Sequence, residues 1–253
     1  MKNPTNRFKA GLKSGGHQFG IWNSIGDPSV TEMLGNAGYD WVLIDCEHSP
    51  IEMVDALPAL QALAAYPDTS AAVRVAGNDT VLIKRVLDMG AQTIMVPYVE
   101  SKAEAQAAVD AMRYGPRGIR GMAGMTRATR YGQVENYYTT AEDELCLIVQ
   151  VETAKGMTAL QEIVGVDGVD AVFIGPADLS ASMGYPGQFA HPEVVKTIEQ
   201  AFGRCKAIGM PIGLMDLDVA AAKRWIALGS SFTAVAVDQV LLSQSIHALR
   251  AEF

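Results

Sequence analysis

Cysteine is scarce in this chain: Cys46, Cys146 and Cys205 are the only three among 253 residues. Odd in number and widely spaced, they offer neither a disulfide framework nor a zinc pattern, and thiols of this kind are ordinarily buried. Long apolar runs are missing too. The longest, at 41–44, 145–149 and 234–237, have strand length, far short of the roughly 20 residues that span a bilayer. The first 20 residues are polar and carry no apolar stretch of signal type, so the cytoplasm is expected and a membrane partner is not. Positive charge is also in short supply, with 20 Lys and Arg against 28 Asp and Glu and a net charge of −8. Without a basic stripe, nucleic acid is not an expected partner, although a single well-placed arginine could still hold a small anion.

What is present is alternation. Apolar residues form 49% of the chain, which excludes a disordered polymer and suffices for a core without staples. Strands are predicted at 17–23, 39–45, 71–75, 93–98, 145–152, 171–174, 212–215 and 232–237. Helices are predicted at 51–66, 80–91, 103–112, 157–164, 194–208, 220–228 and 241–253. Gly38, Gly90, Gly209 and Gly229 stand where helices should end, since glycine accepts the left-handed terminating conformation. Eight strands, each followed by a helix, favour a closed α/β barrel, a (β/α)8 TIM barrel filling residues 1–253 as a single domain. An open doubly wound sheet would need a phosphate loop. The best candidate, Gly118 to Gly124, follows a helix and has the wrong spacing; it reads better as a flexible active-site loop.

A parallel barrel carries its chemistry at the C-terminal ends of its strands. The second predicted strand ends Ile44-Asp45-Cys46-Glu47-His48, placing three ionisable groups directly after an apolar run. Asp45 and Glu47 share a face and His48 sits at the rim; a carboxylate beside an imidazole fixes its tautomer, as a general base requires. His17, His191 and His247 lack such company and read as structural. Arg74 lies between Val73 and Val75, where a guanidinium must meet an anion. A neighbouring carboxylate and a substrate oxyanion are equally consistent with that position. Asp88, near a helix C-terminus, reads on its own as a solvated helix residue. Gln150 and Glu152 are two apart and face one side, and a carboxylate there needs a cation or arginine. Asp178 follows Gly175-Pro176-Ala177 at a helix start and is either a cap or a ligand, with Ser180 a second cap candidate. Glu152 and Asp178 at adjacent strand ends form an oxygen-donor pair too small for a closed site. That suits Mg2+ or Mn2+, which keep waters and share ligands with substrate, and disfavours tetrahedral zinc.

These motifs together resemble the HpcH/HpaI aldolase family, in particular its 4-hydroxy-2-oxoheptanedioate and hydroxyketoacid aldolases. The carriers are Tyr39-Asp-Trp-Val-Leu-Ile-Asp-Cys-Glu-His48, Val73-Arg74 with Asn78-Asp79, Arg113-Tyr-Gly-Pro-Arg-Gly-Ile-Arg-Gly121, Val149-Gln-Val-Glu-Thr153 and Phe173-Ile-Gly-Pro-Ala-Asp-Leu-Ser180. The resemblance implies a metal-dependent class II aldolase that makes or cleaves 4-hydroxy-2-oxo acids from pyruvate, or a hydroxypyruvate-type oxoacid, and an aldehyde. It implies His48 as proton acceptor, Asp45 and Asp88 in support of that base, and Arg74 on the enolate. It also implies Glu152 and Asp178 as ligands of a divalent metal (Mg2+ or Mn2+, with Co2+ a third candidate). Gln150 and the backbone of Ala177 would hold pyruvate. Relatives form hexamers, and Leu242, Ile246, Leu249 and Phe253 make a plausible packing face for a homo-oligomer. The chain departs from the family at Ser49-Pro50-Ile51-Glu52 and in the stretch from Met122 to Arg130, so the resemblance leaves the aldehyde open.

Three other functions share parts of this pattern. A Schiff-base aldolase would need a desolvated lysine, for which Lys155 is the one candidate. A metal-enolate lyase of acyl-CoA esters would need a basic nucleotide-binding surface. A non-catalytic barrel that binds an oxoacid would need no base.

Overall fold

Residues 1–253 are described by a computed structural model. Most strand positions are apolar on both sides of the chain, the pattern of strands covered on both faces. Eight such strands close into one parallel barrel in sequence order. They are β1 (Gln18–Asn23), β2 (Trp41–Asp45), β3 (Ser70–Arg74), β4 (Thr93–Val96), β5 (Cys146–Val151), β6 (Ala171–Ile174), β7 (Ile212–Met215) and β8 (Phe232–Val237). The helices that precede, join and follow them are α1 (Arg7–Ser14), α2 (Pro28–Asn36), α3 (Ala56–Leu63), α4 (Thr80–Asp88), α5 (Lys102–Met112), α6 (Tyr137–Glu144), α7 (Ala154–Val164), α8 (Pro176–Ser182), α9 (Pro192–Ala207), α10 (Val219–Leu228) and α11 (Asp238–Ala251). No helix is long and apolar enough to cross a membrane.

The period of two along each strand sorts residues between two cores. Val42, Ile44, Val73, Ile94, Val149, Val172 and Ile174 point outward into the large cluster shared with Leu60, Ile83, Leu87, Leu160, Ile163 and Phe202 of the helices. Trp22, Trp41, Leu43, Ala72, Met95, Ile148, Phe173 and Phe232 point inward and fill the barrel. Aromatic edges pack inside, with Trp22 and Phe173 centroids 5.3 Å apart and Trp41 and Phe232 5.9 Å apart. Each such pair contributes about 0.5–1.5 kcal/mol beyond its burial. The indole of Trp41 fits because its register partner is Gly20, where a Cβ would lie 2.0 Å from the ring.

The predicted strands all form, four of them a residue or two shorter than expected and β3 shifted by one, and Gly38, Gly90, Gly209 and Gly229 take positive φ. Four helices lie outside the predicted spans: α2 and α8, of which only the glycine end at Gly38 and the start before Asp178 are expected, and α1 and α6. α1 buries only Phe8 and Leu12, one face of a polar segment, and Phe8 closes the N-terminal end of the barrel edge-on to Trp41 and Phe232. α6 is polar and rich in threonine and buries only Tyr137 and Ala141. The helix predicted over 51–66 is a 3-10 turn at Met53–Asp55 followed by α3. Pro58 lacks an N–H and is tolerated only in a first turn, so regular helix starts at Ala56. All three cysteines are free, with Cys146 and Cys205 buried.

Candidate active site

Inward parity extends past the last apolar residue of three strands. Asp45 continues the face of Trp41 and Leu43, Arg74 that of Ala72, and Gln150 and Glu152 that of Cys146 and Ile148. The core therefore ends, at the C-terminal rim, in buried polar groups: Asp45, Arg74, Gln150 and Glu152 are all at most 6% exposed.

Arg74 is the hub. Its Nε and Nη2 donate to the two carboxylate oxygens of Asp45 at 2.8 and 2.7 Å, a paired geometry available to arginine and not to lysine. Register places these residues opposite each other on β2 and β3. Nη1 lies 2.8 Å from Oε2 of Glu47 as an ion pair without hydrogen-bond alignment, and the guanidinium sits 5.4 Å from the Trp22 ring centroid. The anion required by Arg74 is thus supplied within the chain. Burial pushes the Asp45 carboxyl up, but Arg74 and the N–H groups of Glu47 and His48 hold it below the usual carboxylate range. Glu47 behaves oppositely. Its own burial and the charges of Glu152 and Asp45 outweigh Arg74 and His48 and push it up to about 7.

His48 stands at the rim with a side chain 60% exposed, its Nε2 3.8 Å from Oε1 of Glu47. Its backbone N–H donates to Asp45 at 3.4 Å, so Asp45 fixes the turn that carries the histidine without touching the imidazole. The carboxylate beside the ring is Glu47. Asp88 lies elsewhere. It ends α4, which runs back from the rim, and its Oδ1 accepts from Nη2 of Arg120 at 2.8 Å. Within one chain Asp88 and His48 are at opposite ends of the barrel. The segment from Gly118 to Gly124 is displaced in the same way from its expected place beside the site. It follows α5, which also runs back, and the buried Arg120 within it packs on Tyr114 and reaches Asp88.

Glu152 is 2% exposed. Its Oε1 accepts from the backbone N–H of Tyr98 at 3.0 Å, and its Oε2 accepts from Nε2 of Gln150. Burial raises its affinity for a proton, against those two hydrogen bonds, and the charge of Asp178 adds to the rise. No cationic side chain pairs with it. Gly175 makes the position possible, because a Cβ there would lie 2.2 Å from Oε2 of Glu152. Asp178 lies in the first turn of α8, whose N-cap is Gly175 with no side-chain cap bond. The capping alternative therefore does not hold, and Ser180 donates instead to the carbonyl of Ala177 at 2.7 Å. The hydrogen-bond partner of Asp178 is the phenol of Tyr98, which donates to Oδ1 at 2.6 Å. The N–H of Ala177, in the same first turn, has no intrahelical acceptor.

Four carboxylates, from Asp45, Glu47, Glu152 and Asp178, thus share a rim with one guanidinium. Oε1 of Gln150 is buried with no partner. No three His, Cys, Asp or Glu side chains converge as a closed cage, and the donor set of Glu152 and Asp178 is the open, all-oxygen kind that hard divalent cations share with water and substrate. Lys155 does not supply the alternative chemistry: its side chain is 68% exposed and 2.8 Å from Glu100, and hydrogen bonding to Glu100 raises its affinity for a proton. Two of the remaining histidines serve structure. Nδ1 of His191 accepts from Glu193 N–H at the start of α9, and Nε2 of His17 is 2.9 Å from Thr233. Tyr98 and the need for glycine at Gly175 were not legible from spacing, which also left open whether Asp45 or Glu47 is the carboxylate beside His48.

Comparison with known proteins agrees along the whole chain. A sequence profile described as HpcH/HpaI aldolase/citrate lyase matches residues 18–245. A pyruvate aldolase of Rhizobium etli is 52% identical over 100% of this chain and 99% of its own. A 4-hydroxy-2-oxo-heptane-1,7-dioate aldolase of Salmonella heidelberg is 46% identical over 98% of this chain and 94% of its own. The crystal structure of an HpcH/HpaI aldolase/citrate lyase family protein from Burkholderia cenocepacia superposes with a TM-score of 0.93 at 37% identity, covering 98% of this chain and 99% of that one.

Proposed function

The chain belongs to the HpcH/HpaI aldolase/citrate lyase family, and we propose that it is a carbon–carbon lyase, a class II aldolase that joins pyruvate, or a hydroxypyruvate-type oxoacid, to an aldehyde and cleaves the resulting 4-hydroxy-2-oxo acid. Residues 1–253 act as one catalytic domain. The observation that carries this reading is the pair of rim carboxylates, Glu152 and Asp178, left without any cationic partner beside a histidine and a buried arginine.

Glu152 and Asp178 would hold the divalent ion, Mg2+ or Mn2+ before Co2+ on the hardness of the donors. When bound, such an ion supplies Lewis acidity that eases removal of a methyl proton. The protein groups do the rest. Gln150 and the Ala177 N–H orient the oxoacid. His48 takes the methyl proton, and the N–H groups of Arg74 not used on Asp45 and Glu47 face the developing enolate oxygen. The enolate carbon then attacks the aldehyde carbonyl, and His48, directly or through a water, returns the proton to the new alkoxide; in cleavage His48 takes the 4-hydroxyl proton, the same bond breaks, and the proton is returned to the enolate carbon to give pyruvate.

An assembly of copies fits two further features. α11 buries only Asp238, while Leu242, Ile246, Leu249 and Phe253 are exposed, leaving the predicted packing face free for a homo-oligomer such as a hexamer. Asp88 can support His48 only from a second copy, since its own rim is at the far end of the barrel.

Exchange of pyruvate methyl protons into D2O tests base and metal without knowledge of the aldehyde. Exchange is expected with Mg2+ or Mn2+, lost on chelation and restored by added metal. Full exchange in chelator, or borohydride trapping of pyruvate on the protein, would overturn the reading.

A further inference from the structure

Tyr98 follows β4 in the left-handed region, at φ 53°. An aromatic side chain rarely adopts this conformation, and holding it costs on the order of 1–3 kcal/mol. Strain of this size persists where surrounding contacts determine the conformation, and here the contacts are specific. The turn aims two donors of one residue at two different elements: the backbone N–H reaches Oε1 of Glu152 beyond β5, at 3.0 Å, and the phenol reaches Oδ1 of Asp178 on α8, at 2.6 Å. Glu152 and Asp178 are two carboxylates at one rim, and like charges repel. Unsupported, each carboxylate would rotate away from the other. Oε2 of Glu152 is held by Gln150, whereas the phenol is the one side-chain donor on Asp178.

We propose that Tyr98 is a positioning residue for the metal, its strained backbone and its phenol together fixing Glu152 and Asp178 so that their remaining lone pairs converge before the ion arrives. This rests on the reading of those two residues as ligands. It assigns the phenol to the ion's outer shell, where donors to ligating carboxylates typically govern affinity by about 10–100-fold.

Mn2+ titration of the metal-free protein, followed by the electron paramagnetic resonance of the free ion, separates the possibilities. Tyr98→Phe keeps the ring, the backbone conformation and the N–H, and removes only the hydroxyl of this half-exposed residue. It is expected to weaken Mn2+ binding by about 10–100-fold with no loss of thermal stability in the metal-free form. Wild-type affinity in Tyr98→Phe, alongside lost binding in Glu152→Gln, would overturn the role of Tyr98 while leaving the metal site intact. Absence of Mn2+ binding in the wild type, or unchanged binding in Glu152→Gln, would overturn the metal reading and this proposal with it.

Discussion

The two ends of the barrel solve the same problem in opposite ways. At the N-terminal end the charged groups are paired, and the buried atoms left without a partner there, Nδ1 of His17 and two nitrogens of Arg120, belong to no carboxylate. Phe8 plugs the opening, Lys9 pairs with Asp170 at 3.2 Å, and Asn6 donates to Thr93 at 3.0 Å. At the C-terminal rim the same lattice ends in four carboxylates and one arginine, with a buried amide oxygen unpartnered. Leaving polar groups unsatisfied at burial is costly, so the rim draws on stability that the packed end supplies. The contrast teaches where to look for chemistry in a barrel: where inward parity continues into charged residues and the compensating charges run out.

Three substitutions would break or sharpen that contrast. His48→Ala should show the largest effect, a loss of about 10²–10⁴-fold in methyl exchange and aldol cleavage. Mn2+ affinity and thermal stability should stay at wild-type values, because the exposed imidazole holds no structure together. Turnover like that of the wild type would remove His48 from the mechanism. Phe8→Ala should act at the other end only, destabilising the fold by about 3–5 kcal/mol in urea unfolding with kcat per folded molecule retained. A large fall in kcat would show that the ends are coupled.

Glu47→Gln should give the smallest and most diagnostic change. Glu47 holds its proton up to about 7 against an ordinary value of 4.5, so it binds the proton more tightly folded than unfolded. Its stabilising contribution is full below pH 4.5 and disappears as pH rises through 7. In metal-free protein the wild type should therefore lose stability relative to Glu47→Gln between pH 5 and 8, by on the order of 1–2 kcal/mol after solvent screening. Saturating Mn2+ should shrink the difference. A gap that is constant with pH would mean that Glu47 is ionised throughout.

Much of this was readable in the sequence. All eight strands were, since their apolar runs leave no competing period, and so was the shared face of Gln150 and Glu152, which follows from alternation alone. α1 was not, because two buried residues four apart are too few to mark a helix against polar surroundings. Tyr98 was not, because its role depends on a positive φ and on a partner 80 residues away. Gly175 looked like a strand-ending turn, and only the carboxylate packed against it shows why no side chain fits. Asp88 could have been placed better: a helix after a parallel strand runs back from the rim, so a residue in its last turn begins at the wrong end.

Glu152 and Asp178 follow β5 and β6, whose register pairs Val151 with Ile174. The separation of the two carboxylates is consequently inherited from neighbouring hydrogen-bonded strands, as teeth on one gear, and no long loop intervenes. Elsewhere on the molecule, connections can lengthen, shorten or be exchanged without changing that spacing. A lineage, or an engineer, can therefore alter the surrounding surfaces while the spacing of this carboxylate pair, the proposed metal-holding half of the site, is transmitted unchanged.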